Sequence, residues 1–576
     1  MPARWPLGPH ATHNLALLLL VAGAAGLGLP LLLKNPNIGS DSLSYLLPVH
    51  DLVAGDWRAM ARSGALVFPP GLGLLAYPFY LLTDDIPLSG MLVSFCSYLL
   101  AVPVVYLIGR QALDGRAGLL AAFLTASNPY LLKFSYQNYA DAAFTLFFLL
   151  SFLGFLRIWL EGPTLGRHAR LGLAWGMAYL LRPEATLIAF LGLACLALRP
   201  WLVRREPGGR PWARLGGPAL AAALFLLLSG PYVLYLHHYT GQWSFSGKFW
   251  PTLTTYSQIY LGEPAYQEPA GLAGQGNLAR ALAYAQSRPG LFLRRLHLNA
   301  VNIARTLLQM AWPALAPLAL LVLAHFIRGR EAWPGPPRPD RRLGVFLAAL
   351  PMYCSPLPVL LFFFVTDRYL LPYAALLHVL LAWPLSALAQ GLAPRRPQVV
   401  LLGVCLLALL TLSGPGARML SWGGRLLPPP PTLPELYATE HGNLGLRAVG
   451  LWLGERYGPE RRYRVMGAKK LGVVLFFAGG RRAVGQDLAL EVDQSRDLAW
   501  VARQLREGAA DFLVLDSHYC PGRPPLSELW AQPGLAPGLG LKLLAEDPDG
   551  RYRVFTAAGG PPTDQPLAKP EKSHSN

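Results

Sequence analysis

Asn14–Leu33, NLALLLLVAGAAGLGLPLLL, is twenty residues without a charge, and it runs through Lys34 into a polar loop, Asn37-Ile38-Gly39-Ser40-Asp41-Ser42-Leu43-Ser44-Tyr45. A helix of that length rises about 30 Å, the thickness of a bilayer's hydrocarbon core. The small residues Ala22-Gly23-Ala24-Ala25 resemble a cleavage site, but the apolar run continues to Leu33 and further spans follow. The stretch therefore reads as a membrane span rather than a removed signal peptide. The loop behind it holds a lone carboxylate, Asp41. Moving such a charge to the bilayer centre costs about 2.5–3.5 kcal/mol, so an acidic side chain tethered beside a span is a functional candidate by default.

The composition fits that first span. Of 576 residues, 53% are hydrophobic and 14% charged, against about 25% charged in soluble proteins. Apolar runs of spanning length recur over the first three quarters of the chain, which defines a polytopic α-helical membrane protein. Four of the five cysteines (Cys96, Cys195, Cys354, Cys405) lie in apolar runs and Cys520 lies in the tail, a pattern that indicates no disulfide framework. The net charge of +18 does not mark a nucleic-acid binder. Its arginines crowd into short loops between spans, as cytoplasmic loops do.

Those loops set the topology. After the first span, Leu88–Gly109 ends in Arg110 and Arg116, and Ala117–Leu132 and Ala142–Leu160 lead to Arg157, Arg167 and Arg170. Leu171–Leu198 is too long for one span and is interrupted by Arg182-Pro183-Glu184, so it reads as two half-helices, up and back. Five arginines between Arg199 and Arg214 mark the next inner loop. Gly217–Leu236 then leads outward, and Ala300–Ile327 returns to Arg328, Arg330, Arg338, Arg341 and Arg342. Leu343–Val365, Tyr369–Leu388 and Val399–Leu412 complete about eleven crossings, with Arg395 and Arg396 inside. This count puts the N-terminus in the cytoplasm and the C-terminus outside the inner (plasma) membrane.

Three segments are then external. In Lys34–Asp85, Leu43, Leu46, Leu47, Val53, Trp57 and Met60 recur at near-helical spacing, which predicts helices lying in the interface. Phe68-Pro69-Pro70-Gly71 opens a second, half-inserted apolar segment. Thr240–Asn299 is rich in Tyr, Trp and Gly, and the tail follows a Pro428–Pro431 linker. The tail reads as a small α/β domain: strands at Tyr463–Met466, Phe512–Asp516 and Tyr552–Phe555, and a helix over Asp497–Arg506 striped by Leu498, Val501, Ala502 and Leu505. From Gly559 the chain is dominated by Pro, Lys, Ser and Asp and reads as disordered.

Four clusters on the outer side carry chemical potential. Asp41 is a helix N-cap, a general base, or both, since Ser40-Asp41-Ser42 precedes an apolar periodic stretch. Lys133 and Asp141 flank the outer link between the third and fourth spans; the bland readings are a snorkelling anchor and a helix cap. Arg182 and Glu184, between half-helices, must be buried in protein or line a wet cavity, because lipid cannot satisfy them. Arg368 in Asp367-Arg368-Tyr369 has the fork geometry to clamp a phosphate, and is otherwise an interfacial arginine. Other features are set aside. Asp84 and Asp85 precede Pro87 and read as caps; Asp516, His518 and Cys520 supply too few ligands for a metal; Gly271–Gly276 lacks the strand–helix setting of a phosphate loop.

In order along the chain stand Asp41-Ser42-x-x-Tyr45, Phe68-Pro69-Pro70-Gly71, Asn138-Tyr139-Ala140-Asp141-Ala142, Tyr179-Leu180-Leu181-Arg182-Pro183-Glu184 and Arg368-Tyr369-Leu370-Leu371-Pro372. This arrangement resembles the GT-C superfamily of integral-membrane glycosyltransferases, in the group of dolichyl-phosphate-mannose–protein mannosyltransferases and lipid A aminoarabinose transferases. The likeness covers residues 1–415, with 416–558 similar to the periplasmic domains of members and 559–576 a disordered tail.

The resemblance implies a hexosyl- or pentosyltransferase of the cell envelope that uses a polyprenyl-phosphate sugar. Asp41 matches the catalytic base and Asp141 a second catalytic acidic position. Arg182 and Arg368, joined by Lys133, match cations near the donor phosphate, and Tyr45, Glu184 and Tyr369 line the cavity. Many members carry a second acidic residue directly after the first, where this chain has Ser42; no metal and no cofactor is therefore expected. The implied partners are the lipid-linked sugar, an acceptor lipid, glycan or protein, and membrane lipids, with no nucleic acid. A transporter or lipid flippase is the alternative, but such folds show matching halves with equivalent broken helices, and here a single break appears, at Arg182.

Overall fold

The computed structural model describes residues 9–34, 40–202, 215–256, 277–327, 340–363, 365–412, 444–459, 461–479, 488–492, 496–521 and 523–560. The basic stretches 204–214 and 328–338, the glycine-rich 271–276, the linker 428–431 and the end from 561 lie outside them. The chain divides into two compact units: residues 1–36 with 65–439, and residues 37–64 with 440–576.

The first unit is a helical membrane bundle. In chain order it holds α1 (Pro9–Lys34), α4 (Gly71–Thr83), α5 (Ile86–Ala112), α6 (Gly115–Ala126), α7 (Pro129–Ser135), α8 (Asp141–Glu161), α9 (Leu165–Leu181), α10 (Ala185–Leu202) and α11 (Gly216–Thr240). It continues with α12 (Asn277–Ser287), α13 (Pro289–Ile327), α14 (Arg341–Tyr353), α15 (Pro356–Leu360), a 3₁₀ turn at Asp367–Leu370, α16 (Leu371–Leu392) and α17 (Pro397–Leu412). The second unit holds α2 (Ser40–Val53) and α3 (Trp57–Met60). Among the described residues, seven helical stretches are long and apolar enough to cross a membrane, and four shorter apolar helices accompany them. The polytopic helical class expected from composition is what the chain adopts.

The breaks follow local chemistry. Arg182 ends α9 with extended backbone (φ −150°, ψ 125°), the conformation that Pro183 imposes on the residue before it. The two half-helices expected on either side are α9 and α10. Asp85 caps α5, its Oδ1 accepting from Leu88 N at 2.8 Å, whereas Asp84 terminates α4 in a left-handed conformation (φ 50°).

Two expected single spans are interrupted. Ala117–Leu132 breaks at Asn128-Pro129, where Asn128 Oδ1 accepts from Tyr130 N and Leu131 N at 3.0 and 3.2 Å and starts α7 anew. Leu343–Val365 breaks at Cys354–Ser355 before Pro356, and its end is tied down from α13: Asn299 Nδ2 donates to Leu361 O at 2.8 Å and Arg295 Nη1 to Phe362 O at 3.3 Å. In both cases a proline placed to start a helix ends the one before it.

Packing in the bundle uses small residues, as close approach within lipid requires. A Cβ on Gly109 of α5 would sit 2.7 Å from Gly118 Cα of α6. Gly71 gives the Phe68-Pro69-Pro70-Gly71 motif its meaning. Its α-carbon lies against the backbone of Leu180 and Leu181, so any side chain would collide with the carbonyl of Leu180. Only glycine lets the first turn of α4 rest on the turn of α9 that precedes Arg182.

The second unit contains a five-stranded sheet in the order β2-β1-β3-β5-β4, formed by β1 (Val465–Gly467), β2 (Ala489–Glu491), β3 (Phe512–Asp516), β4 (Leu541–Glu546) and β5 (Tyr552–Ala557). β1 runs parallel to β2 and β3, and β5 runs antiparallel to β3 and β4. α18 (Leu444–Tyr457) precedes the sheet, α19 (Leu471–Gly479) and α20 (Leu498–Arg506) are the two crossovers, and α21 (Leu526–Ala531) follows β3. Met466, Leu513, Leu515 and Phe555 pack with Val501 and Leu505 of α20 in one core. The helix expected at Asp497–Arg506 starts at its cap, Asp497 Oδ1 accepting from Trp500 N at 2.7 Å.

α2 is not an interfacial helix. Tyr45, Leu46, Leu47 and Val49 are buried, and Leu43 Cδ1 lies 3.6 Å from the position a Cβ on Gly472 of α19 would take. Of the apolar stripe that reads as lipid-facing, Leu43, Leu46, Leu47 and Met60 meet protein while Val53 and Trp57 stay exposed, because a helical stripe does not specify which apolar phase covers it.

Gly71→Val is expected to lower the bundle's stability by about 1–3 kcal/mol through overpacking. Gly23→Val, at a glycine with nothing within 4 Å of its Cβ position, is expected to leave it unchanged. Thermal unfolding in detergent compares the two.

Candidate active site

The site grows from α8 and the α9–α10 break. Ser94 of α5 donates to the carbonyls of Gln137 (2.7 Å) and Tyr139 (3.2 Å), fixing the turn that leads into α8. Asp141 stands in the first turn of α8 and is 1% exposed. Its side chain does not cap the helix; Oδ1 takes an ion pair from Arg182 Nη2, itself 5% exposed. The capping alternative gives way because a buried guanidinium competes for the same carboxylate. Oδ2 of Asp141 is buried without a hydrogen-bond partner among the described residues.

Arg182 is surrounded on its other sides. Glu184 Oε1 lies 3.8 Å from Nη1, and the guanidinium stands over the rings of Tyr369 and Phe144, at 4.2 and 5.7 Å to their centroids. Arg368 faces the same tyrosine at 5.5 Å and Tyr139 at 4.8 Å. Tyr369 is thus flanked by two guanidinium groups. A third cation completes the ring: Lys248 Nζ lies 3.5 Å from Tyr369 Oη and 4.7 Å from the centroid of Phe68.

Lys133 takes a different position. Its Nζ pairs with Asp367 Oδ2 at 2.9 Å, both side chains part-exposed, while Asp367 Oδ1 accepts from the backbone N–H of Arg368 at 3.0 Å. The lysine acts on the residue that precedes Arg368. Counting Lys133, Arg182, Lys248 and Arg368 against Asp141, Glu184 and Asp367, the cluster has one positive charge in excess.

Beside this cluster lies a cavity of about 350 Å³, lined at its polar end by Glu184, Lys248 and Tyr369 and along its walls by Leu187, Phe190, Phe249 and Phe363. The aromatic walls pack edge to face, Phe190 on Phe245 and Phe249 on Phe363 with centroids 5.6 and 5.2 Å apart. A slot with apolar walls and a cation, Lys248, at one end suits a chain-like apolar ligand with an anionic head. Glu184 Oε2 is buried without a partner among the described residues, which leaves an acceptor for a hydroxyl.

The bundle therefore brings together Asp141, Arg182, Glu184, Arg368 and Tyr369, with Lys133 one step removed. Asp41 and Tyr45 belong to the second unit, where Asp41 is half-buried in the first turn of α2 and Tyr45 is buried. Lys248 escaped the sequence reading. The signal was present as the one lysine amid Trp243, Phe245, Phe249 and Trp250, but nothing in the sequence placed that loop beside Tyr369. Tyr179 Oη of α9, donating to Phe245 O at 3.0 Å, does so.

Among the described residues no group of three or more His, Cys, Asp or Glu is placed to hold a metal ion. The Asp516–Cys520 stretch is a strand-end loop: Asp516 Oδ1 accepts from His518 N and Tyr519 N at 3.0 and 2.7 Å. Burial, and then the Asp516 charge, push the Cys520 thiol up to about 12, which removes it as a thiolate nucleophile at neutral pH.

Asp141→Ala leaves the buried Arg182 charge with only the longer contact to Glu184, with an expected loss of about 3 kcal/mol. Asp141→Ala combined with Arg182→Met is expected to lose less than the two single changes summed. Thermal unfolding of the four proteins in detergent closes the cycle.

Residues 68–235 match the family described as dolichyl-phosphate-mannose-protein mannosyltransferase. No curated protein matches the chain in sequence. Among solved structures, ArnT from Cupriavidus metallidurans, bound to undecaprenyl phosphate, is 14% identical with a TM-score of 0.51, over 93% of this chain and 97% of that one. The same protein in its apo state gives the same values. The motif-based resemblance holds: residues 68–235 match the dolichyl-phosphate-mannose-protein mannosyltransferase family, and the chain shares its overall fold with ArnT.

Proposed function

We propose that this protein transfers a sugar from a polyprenyl-phosphate donor to an acceptor on the extracytoplasmic side of the plasma membrane, with inversion at the sugar carbon. The observation that carries the reading is the cationic ring of Arg182, Arg368 and Lys248 around Tyr369, at the head of an apolar cavity. An isoprenoid tail matches the walls and its phosphate matches the ring. The similar fold of ArnT, solved with undecaprenyl phosphate, supports a donor of that class. The basic inter-span loops support a cytoplasmic N-terminus and an external C-terminal domain.

In the reaction an acceptor hydroxyl or amine attacks C1 of the sugar, the C1–O bond to phosphate breaks, and the polyprenyl phosphate leaves with one further negative charge. Arg182, Arg368 and Lys248 stabilise that charge; a pre-aimed donor of this kind is worth about 10²–10³-fold in rate. Asp141 is buried in its ion pair and serves the reaction by holding Arg182 in place, while Lys133 holds Asp367 and through it Arg368. Asp41 takes the proton from the acceptor, a contribution of about 10²–10⁴-fold. Glu184 Oε2 receives a hydroxyl of the donor sugar.

The test incubates the purified protein in lipid with radiolabelled polyprenyl-phosphate sugars and a crude envelope acceptor fraction. Asp41→Asn is expected to lower turnover about 10²–10⁴-fold, with the KM for donor little changed. Lys248→Met and Arg368→Met are expected to raise that KM. Equal rates from Asp41→Asn and the parent remove Asp41 from catalysis, and substrate flux in vesicles without transfer replaces the transferase with a transporter.

A further inference from the structure

Lys248 stands in the loop beyond the end of α11, outside any helix, so the residues behind that loop decide where its ammonium lies. The loop's local shape comes from two serines and a tyrosine. Ser246 N–H donates to Ser244 Oγ at 3.1 Å, Lys248 N–H donates to Ser246 Oγ at 3.2 Å, and Tyr179 holds the carbonyl of Phe245. Its placement against the bundle comes from a different stretch, the segment Ala65–Gly71 that leads into α4.

That segment meets the loop residue by residue. Tyr232 of α11 donates from Oη to Ala65 O at 2.9 Å in a buried hydrogen bond. The next carbonyl, Leu66 O, is pressed against the α-carbon of Gly247, so that a Cβ at Gly247 would overlap the oxygen. The ring of Phe68 then lies 4.7 Å from Lys248 Nζ. At its end, Gly71 rests on Leu180 and Leu181, the turn before Arg182. One stretch of chain thus touches the loop that carries Lys248 and the turn that carries Arg182, and all of these residues lie in the first unit.

Two features separate the Gly247 contact from ordinary packing. Gly247 has no positive φ, so space alone requires the glycine. A side chain there would have to displace a backbone carbonyl, which cannot swing aside as the tip of a side chain can. The residue so placed is also the immediate neighbour of a cation in the ring around Tyr369. A lysine side chain is flexible, and ordering it against a phosphate costs entropy that a fixed base reduces.

We propose that Gly247 and Tyr232 are positioning residues for sugar transfer: they seat the Lys248 loop on the segment Ala65–Phe68, so that Lys248 and Arg182 meet one phosphate together. The inference rests on the lipid-donor reading and names what builds the donor's seat. Neither residue touches substrate; both act through Lys248.

The test measures binding of undecaprenyl phosphate to the full-length protein in detergent by native mass spectrometry, with undecaprenol, which lacks the phosphate, as reference. Gly247→Ala is expected to bind undecaprenyl phosphate about tenfold more weakly than the parent, and Tyr232→Phe about threefold. Undecaprenol binding is expected to stay the same in both. In a Lys248→Met background, Gly247→Ala is expected to change affinity by less than about twofold, because the cation it positions is gone. In turnover, Gly247→Ala is expected to raise the donor KM more than it lowers kcat. Gly344→Ala, at a glycine of α14 with nothing within 4 Å of its Cβ position, is expected to behave as the parent. Thermal unfolding checks that each variant is folded, and Tyr232→Phe, which removes one hydroxyl, is read alone if Gly247→Ala is not. Parent affinity in either folded variant, losses that add to that of Lys248→Met, or an equal loss for undecaprenol overturns the proposal. Lys248→Met binding as the parent removes the cationic reading of the donor site, and this inference with it. A weakened Lys248→Met beside unchanged positioning variants overturns the seat and leaves the donor reading standing.

Discussion

A guanidinium inside a helical membrane bundle has to be satisfied by protein, and the candidate site is the consequence of how Arg182 is satisfied. Pro183 forces Arg182 out of helical geometry, so its side chain leaves the α9 surface and reaches Asp141 on α8, Glu184 beyond the break and the ring of Tyr369. Each partner comes from a different element, which means that α8, the α9–α10 turn and the 3₁₀ turn before α16 can pack in only one mutual arrangement. A buried ion pair of this kind is weak evidence for stability, since hydrophobic residues of equal volume often do as well. Its contribution here is positional: it fixes Arg182 against the ring of Tyr369, which lines the cavity.

The other charged pair shows the contrast. Lys133 and Asp367 are part-exposed, and exposed pairs contribute only about 0–1 kcal/mol. Its value is geometric: Asp367 binds Lys133 with one oxygen and the Arg368 backbone with the other, so the turn carrying Arg368 and Tyr369 is held to α7. The result is a tyrosine with Arg182, Arg368 and Lys248 around it and Glu184 lining the same cavity. An anionic head group entering this site meets positive charge already oriented by other contacts, which is the condition under which electrostatic stabilisation costs no reorganisation.

Much of this was legible in the sequence. The Arg182-Pro183-Glu184 break was, because a proline between two charges in an apolar run admits few conformations, and so was the placing of Arg182 and Asp141 on the same side; their direct ion pair was not, since the sequence offered Glu184 as the partner of Arg182. The α/β character of the tail was legible from Phe512–Asp516 and the stripe of α20, while β2 and β4 were missed because three- and six-residue edge strands with part-exposed faces carry little periodicity. Lys248 was missed because its partner is 121 residues away. The interruptions at Asn128 and Pro356 were missed for the opposite reason: hydropathy averaged over a window passes through a single cap–proline step that local backbone chemistry does not.

The placement of α2 has the largest consequence for how the protein is understood. A loop beside the first span would ordinarily be assigned to the membrane domain, yet residues 37–64 cluster with 440–576, and α2 buries Tyr45, Leu46 and Leu47 in protein. The carboxylate of Asp41 is therefore carried by the same compact unit as the five-stranded sheet. In a two-substrate reaction the base serves the nucleophile, so it is effective only if its position is fixed relative to the acceptor. A chain that folds its candidate base onto the α/β unit fixes that base through contacts such as Leu43 on Gly472, while the cations of the bundle are held by Asp141, Glu184 and Tyr369 within the bundle itself.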